Sequence, residues 1–375
     1  MKPDGRSKRY AGLLAFMLIM TACSSPPDTP PEPTKNTATE STVPHSPDTQ
    51  LVNSPISTDL DAPWSITFAG EVALVSERDS GKILELDATG MHRTIGEIGD
   101  LRSEGEGGLL GLAFNEPDQL FVYSSGQDGN RIQRFRLEGE PGNFRLSEPV
   151  TLIDSLPVSS IHNGGRIALG PDGMLYVGVG DAANPSLAQD LGSLGGKILR
   201  MTPTGRVPTD NPFDGSLVYS YGHRNVQGLA WDSTGNLYAS EFGQNTWDEL
   251  NLIVPGGNYG WPEAEGQSED QQKFTDPIVQ WSPAEASPSG IAVKDDTLYI
   301  ANLRGQRLRS VDLADPQQQE ELWVGEYGRF RDIVLTPTGQ LWALTNNTDG
   351  RGSAGVSDDQ ILLVNPEDFG GSTSR

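Results

Sequence analysis

The 375-residue chain has one cysteine and only four histidines. A lone thiol excludes any disulfide within the chain. Basic residues are scarce as well: 27 Lys and Arg stand against 51 Asp and Glu, a formal net charge of −24. That balance argues against nucleic acid and against an anionic membrane surface, both of which need a basic face. It suits solubility in an extracellular medium. Apolar residues are few at 35%, and the apolar stretch 11–20 is too short to span a bilayer. What is plentiful is Gly (44) and Pro (27), a composition of many turns and short strands rather than long helices.

The apolar stretch has a reading of its own. Lys2, Arg6, Lys8 and Arg9 precede it, and Met20-Thr21-Ala22-Cys23 follows. This is the pattern of a bacterial lipoprotein signal, with cleavage before Cys23 and a lipid on its thiol, although Met20 stands where leucine is usual. Plain secretion is the alternative. Residues 23–52 are rich in Pro, Ser and Thr and show no apolar periodicity, which predicts a disordered tether containing an inert His45. The expected organisation is a signal peptide (1–22), the tether (23–52) and one folded domain (53–370).

That domain repeats itself. The segments ITFAGEVALVSE (66–77), LAFNEPDQLFVYS (112–124), IALGPDGMLYVGVGD (167–181), LAWDSTGNLYASEFG (229–243), IAVKDDTLYIANLRG (291–305) and IVLTPTGQLWALTNN (333–347) share one plan. Each is a short strand, a polar turn and a second strand ending in small or polar residues. A further strand follows each, as in GKILELD or GKILRMTPTG. Repeats of uneven length, about four antiparallel strands apiece, predict an all-β, six-bladed β-propeller; a pair of β-sandwiches is the weaker alternative. Gly178-x-Gly180-x-x-Ala183 fits a dinucleotide fingerprint on paper. Asn184-Pro185 follows instead of a helix, and no acid appears in 197–204, so these glycines belong to a strand end.

Propeller sites lie where loops of several blades converge. Glu106, His162, the run His223-Arg224-Asn225, and Arg304, Arg329 and Arg331 all fall in such loops. Guanidinium groups gathered from separate blades of an acidic protein suit a polyanionic small ligand. Salt bridging to the abundant acids is the alternative for any one of them. His92 is expected in a surface loop.

The ordered set GEGGLLGLAF, HNGGRIALGPDGMLYVGVGD, GKILRM, YGHRNVQGLAWD, EFGQNTWDELN with GGNYGWP, and YGRFRDIVLTPTGQLW resembles the pyrroloquinoline-quinone (PQQ)-dependent soluble glucose, aldose-sugar and sorbosone dehydrogenases, over about residues 56–366. The resemblance implies a quinoprotein oxidoreductase that takes hydride from C1 of an aldose sugar, forms a lactone and passes electrons to an external acceptor, a quinone or a redox protein. It implies His162 as general base and Arg224, Arg329, Arg331 and Asn225 as cofactor ligands, with Arg224 also stabilising charge on the quinone. Arg304, where some members have lysine, and Glu106, where some have glutamine, are implied as further cofactor-binding residues. Trp281 is implied over the quinone or along the sugar pocket, and His223 as a brace for the Arg224 loop.

Calcium is also implied, on the backbone carbonyls of Gly243 and Gln244, the latter where many members have proline. A second, structural calcium would use Glu249 and the carbonyl of Tyr259; the alternative for Asp248 and Glu249 is a solvated pair on an outer strand. Two other functions fit a propeller of this kind. One is a non-catalytic binding or sensor protein. The other is a metal-dependent lactonase, which leaves the arginines unexplained. The whole reads as an exported, lipid-anchored protein of the cell surface or periplasm with no nucleic-acid partner.

Overall fold

The computed structural model describes residues 54–268 and 272–370. The signal peptide, Cys23 and nearly all of the tether lie outside the described residues. Six antiparallel sheets follow one another along the chain, making a six-bladed β-propeller as expected. The blades span 63–97, 109–156, 167–221, 226–281, 288–322 and 330–364. Within each, strands pair in sequence order, because short polar turns leave antiparallel neighbours as the nearest partners. Blade 3 is typical: Ile167–Leu169, Leu175–Val179, Lys197–Met201 and Val218–Tyr221.

The first strand of every blade packs against the first strand of the next, so these six ring the axis. The core lies between blades. Leu110, Phe121, Tyr123 and Ile132 of blade 2 meet Ile167, Leu175, Val177 and Leu199 of blade 3, all buried. Both faces of a middle strand are therefore apolar, and all five residues of Leu175–Val179 are buried.

Two blades depart from four regular strands. Blade 2 carries an extra two-residue strand, Arg145–Leu146, and is completed by Val150–Leu156, both paired with Asn130–Glu138. Blade 6 has three strands of its own, Phe330–Leu335, Leu341–Thr345 and Ile361–Val364. Residues 56–60 cover its open edge: Ile56 N–H donates to Ile361 O (2.7 Å), Ile361 N–H to Ser57 O (3.0 Å) and Asp359 N–H to Leu60 O (2.9 Å). The start of the domain thereby closes the ring on its end and covers the edge of the blade's last strand. Gly90, at φ 82°, lies against this clasp, where a Cβ would meet Ile56 O at 1.7 Å. Gly90→Ala is expected to cost about 1–3 kcal/mol, read as a lower urea midpoint.

His92 opens the fourth strand of blade 1 and is part-buried, so it is not in a loop. The strand–turn–strand order carries the loops before each first strand, and after each second and fourth strand, to one end of the axis. At the other end the axis opens as a channel of about 470 Å³. Its inner wall includes Arg166 and Asp332, a buried ion pair at 3.0 Å.

Candidate active site

The loop 159–166 runs from blade 2 into blade 3. His162 lies in it at φ 59°, a left-handed conformation that a residue with a side chain adopts only when its surroundings enforce it. Two contacts do so. His162 N–H donates to Glu106 Oε2 (2.8 Å), and the His162 carbonyl accepts from Ala182 N–H (3.1 Å). The turn lies flat on the end of the second strand of blade 3, where a Cβ on Gly180 would meet His162 O at 1.9 Å. The glycines of Gly178-x-Gly180 thus serve a close backbone approach.

The side chain is positioned as tightly. His162 Nδ1 lies 2.8 Å from Asp181 Oδ1. Asp181 is fully buried, and it accepts from Ala183 N–H at Oδ1 and from Trp261 Nε1 at Oδ2, both at 2.8 Å. With donors already on both oxygens the carboxylate is left to accept, so Nδ1 carries the proton and Nε2 is free to take one. Sequence reading gave Asp181 only as the end of a strand. Nothing in one dimension distinguishes it from the other polar residues that close second strands.

A narrow cleft of about 20 Å³ adjoins, lined among others by Trp64, Arg78, Glu106, Gln227, Arg331 and Arg351. Arg331 is buried and shares its donors among Asn346 Oδ1 (3.2 and 3.3 Å), Gln227 Oε1 (3.2 Å) and, weakly, Ser289 Oγ (3.5 Å). Burial pushes its guanidinium down to about 9, against the opposing pull of Asp349. Arg329 donates to Asp349 Oδ2 at 3.0 Å. Burial raises the Asp349 carboxyl, but Arg329 and Arg331 outweigh it and hold the group below its ordinary range.

Arg224 stands 5.5 Å over the Trp261 ring and donates to Phe242 O at 3.1 Å. Desolvation lowers its pKa against the pull of Asp181, Glu241, Glu106 and Glu265. Its loop is braced from behind. Fully buried His223 joins Ser220 Oγ to Glu241 Oε2, both at 2.8 Å, and stacks on Tyr259 at 4.7 Å. Glu241 Oε1 accepts the Arg224 N–H. The segment 182–196, which holds the one-turn helix Ser186–Gln189, is pinned by buried Lys197, whose Nζ donates to the carbonyls of Leu187, Ala188 and Gly195 at 2.7–3.0 Å. Burial pushes that ammonium down to about 8.

Three donors here are buried without a partner: Arg224 Nε, Asn225 Nδ2 and Arg329 Nε. Orphaned donors are costly in a folded protein, and an acceptor-rich ligand would satisfy this set, although Arg93 Nε and Arg309 Nε are orphaned away from the cleft as well. Carboxylates and quinone oxygens are such acceptors, so the residues present fit an anionic quinone.

Other expected site residues sit differently. Arg304 is exposed beside Leu303 of the cleft and makes no side-chain hydrogen bond to the described residues. Trp281 is not among the residues lining the cleft: it lies in the outermost strand of blade 4 under Arg309 (4.9 Å), its Nε1 donating to Gln319 Oε1 (2.8 Å). Its apolar surface is spent between blades 4 and 5.

Gly243 and Gln244 give their N–H groups to Asp248 Oδ1 (2.8 Å) and Glu265 Oε1 (2.6 Å). Their carbonyls accept no hydrogen bond among the described residues. Asp248 and Glu249 are buried, not a solvated pair. Burial pushes Asp248 up to about 6, and burial with nearby Glu241 pushes Glu249 up to about 8. Glu249 accepts from Gly266 N–H (2.6 Å) and Asn251 Nδ2 (3.0 Å). Among the described residues no three His, Cys, Asp or Glu side chains are grouped to hold a metal.

The chain is 28% identical over 349 residues to the aldose sugar dehydrogenase YliI of Escherichia coli, covering 82% of this chain and 91% of that one. It is 36% identical over 236 residues to quinoprotein glucose dehydrogenase B of Acinetobacter calcoaceticus, covering 52% of this chain and only 49% of that relative. The PQQ-bound aldose sugar dehydrogenase of Streptomyces coelicolor superposes with a TM-score of 0.79 at 48% identity, covering 83% of this chain and 96% of that one. Residues 60–361 match the Glucose / Sorbosone dehydrogenase family model, and the chain belongs to that family.

Proposed function

We propose that this chain is a PQQ-dependent sugar dehydrogenase that oxidises the C1 hydroxyl of a cyclic aldose to a lactone and hands the electrons to an external acceptor, a quinone or a redox protein. The observation that carries the reading is the set of unpartnered buried donors on Arg224, Asn225 and Arg329, together with a histidine whose base nitrogen is free. When bound, the quinone would supply the two-electron oxidant that receives the C1 hydride.

The protein's own part is positioning and proton transfer. His162 Nε2 takes the C1 hydroxyl proton, and Asp181 stabilises the imidazolium that results. Arg224 places a positive charge in the recess next to the cleft, which shares Phe242 with it, and Arg329 and Arg331 offer guanidinium donors to carboxylates. Arg304, exposed at the rim, would reach an anionic ligand only from outside. Calcium, proposed on the free Gly243 and Gln244 carbonyls, would add a hard positive charge beside the cofactor. A second calcium at Glu249 and the Tyr259 carbonyl is the weaker proposal, since Glu249 already accepts two N–H donors. Export and lipid anchoring through Cys23 rest on the N-terminal sequence alone. No helix among the described residues is long and apolar enough to cross a membrane.

The test is titration of the purified protein with PQQ and calcium, followed by quinone absorbance. Glucose and other aldoses are then added with an artificial acceptor dye. The expected result is one quinone bound per chain and sugar-dependent bleaching of the dye. Binding without turnover on any aldose would favour a sensor, and no binding with calcium present would sink the quinoprotein reading.

A further inference from the structure

Arg351 belongs to the loop after the second strand of blade 6, and its guanidinium NH1 reaches Glu106 Oε1 at 2.9 Å. Glu106 precedes the first strand of blade 2, so the pair joins two blades, and both residues line the cleft. Glu106 is the less exposed partner, at 22% against 52% for the Arg351 side chain. Its second oxygen holds the His162 N–H at 2.8 Å. Its charge is felt by Arg224 and by Arg331. A carboxylate there competes with any anionic ligand for the same guanidinium groups.

The loop that presents Arg351 is fastened to this arginine set. Asp349 Oδ1 accepts Arg351 N–H (2.9 Å), Asp349 Oδ2 accepts Arg329 NH2 (3.0 Å), and Asp349 O accepts Arg78 NH2 (3.1 Å).

We propose that Arg351 is a positioning residue for an anionic cofactor: by pairing with Glu106 it cancels a negative charge at the cleft, so that Glu106 can hold the His162 turn without repelling the ligand. The proposal rests on the quinoprotein reading above. It departs from a purely structural role in one respect. If Arg351 acts through charge, removing the charge it cancels must repair its loss.

The test is a double-mutant cycle read as PQQ affinity of the calcium-supplemented protein, by quinone absorbance or fluorescence quenching, at low and at high salt. Arg351→Gln is expected to weaken binding about tenfold at low salt, the pair being partly exposed, and less at high salt. Glu106→Gln keeps an acceptor for the His162 N–H and is expected to bind at least as tightly as the wild type. The double variant is expected to lie within about twofold of the wild type. Melting curves of the cofactor-free proteins report any folding defect separately. A double variant as weak as Arg351→Gln, or an Arg351→Gln that binds normally, would overturn the proposal while leaving the quinoprotein reading intact. A wild-type protein that binds no quinone would remove that reading, and the proposal with it.

Discussion

Asp181→Asn is expected to lower sugar oxidation by about two orders of magnitude, and His162→Ala by about 10²–10⁴-fold, the contribution of a positioned general base. The two losses differ in kind. Alanine removes the proton acceptor. Asparagine keeps the shape but has one acceptor oxygen where Asp181 presents two, each already facing an N–H. If its amide nitrogen faces Trp261, the Trp261 Nε1 loses its acceptor and the imidazolium loses its counter-charge. If the nitrogen faces His162, it forces Nδ1 to accept, and Nε2 then carries the proton it must be free to take. Either way kcat falls while cofactor affinity stays within a few-fold, because neither residue belongs to the guanidinium set. Steady-state kinetics beside a PQQ titration separates the two quantities. An Asp181→Asn enzyme with normal kcat would remove Asp181 from the mechanism.

Asp332→Ala is expected to destabilise the propeller by about 3–5 kcal/mol, because it strands a buried cation. Asp332 Oδ2 accepts Arg166 NH1 at 3.0 Å and Ile66 N–H at 3.2 Å. Arg166 is buried, stands 4.5 Å from the Trp64 ring and gives its Nε to Gln227 O at 2.7 Å. Removing the carboxylate leaves that guanidinium unpaired between the site and the axial channel. Replacing both partners by apolar residues, as in Arg166→Met with Asp332→Leu, is expected to cost less than Asp332→Ala alone.

The pH dependence gives a second check. Burial raises the Asp332 carboxyl above its ordinary value, against the pull of Arg166. The group's contribution therefore falls as pH rises between the unfolded and the folded titration, and the ion pair with Arg166 is complete only above the latter. In Asp332→Ala this decline should be absent from the urea midpoint plotted against pH. A single replacement that costs nothing would show that water reaches Arg166.

The repeats made the architecture legible before any coordinates. Strand and turn alternate by local chemistry, and six copies of one hairpin leave few folds that bury both faces of a sheet. Two details escaped. Residues 56–60 supply the outer edge of blade 6, since pairing between residues about three hundred positions apart carries no local signal. Blade 2 spends its insertion on an added strand rather than a loop.

The arginines stood out because guanidinium groups are conspicuous in an acidic chain, and His162 because histidines are few. The polar residues closing second strands looked alike in sequence: Glu77, Asp181, Glu241, Asn346. Folding separates their tasks. Asp181 orients a histidine, Glu241 braces a loop, and Asn346 holds Arg331. Trp281 went the other way, since an aromatic beside a loop can face the site or the gap between blades, and packing against Arg309 decided for the gap.

The sequence by itself determined six repeats of alternating strands, an acidic surface, and which cations were available to meet an anion. Each of these follows from residue type and short-range periodicity. Only the tertiary structure decided which carboxylate faces His162, which arginines keep unpartnered donors, and that Arg351 of blade 6 meets Glu106 of blade 2. Those are distances between blades, set by closing the ring, and no single strand contains them.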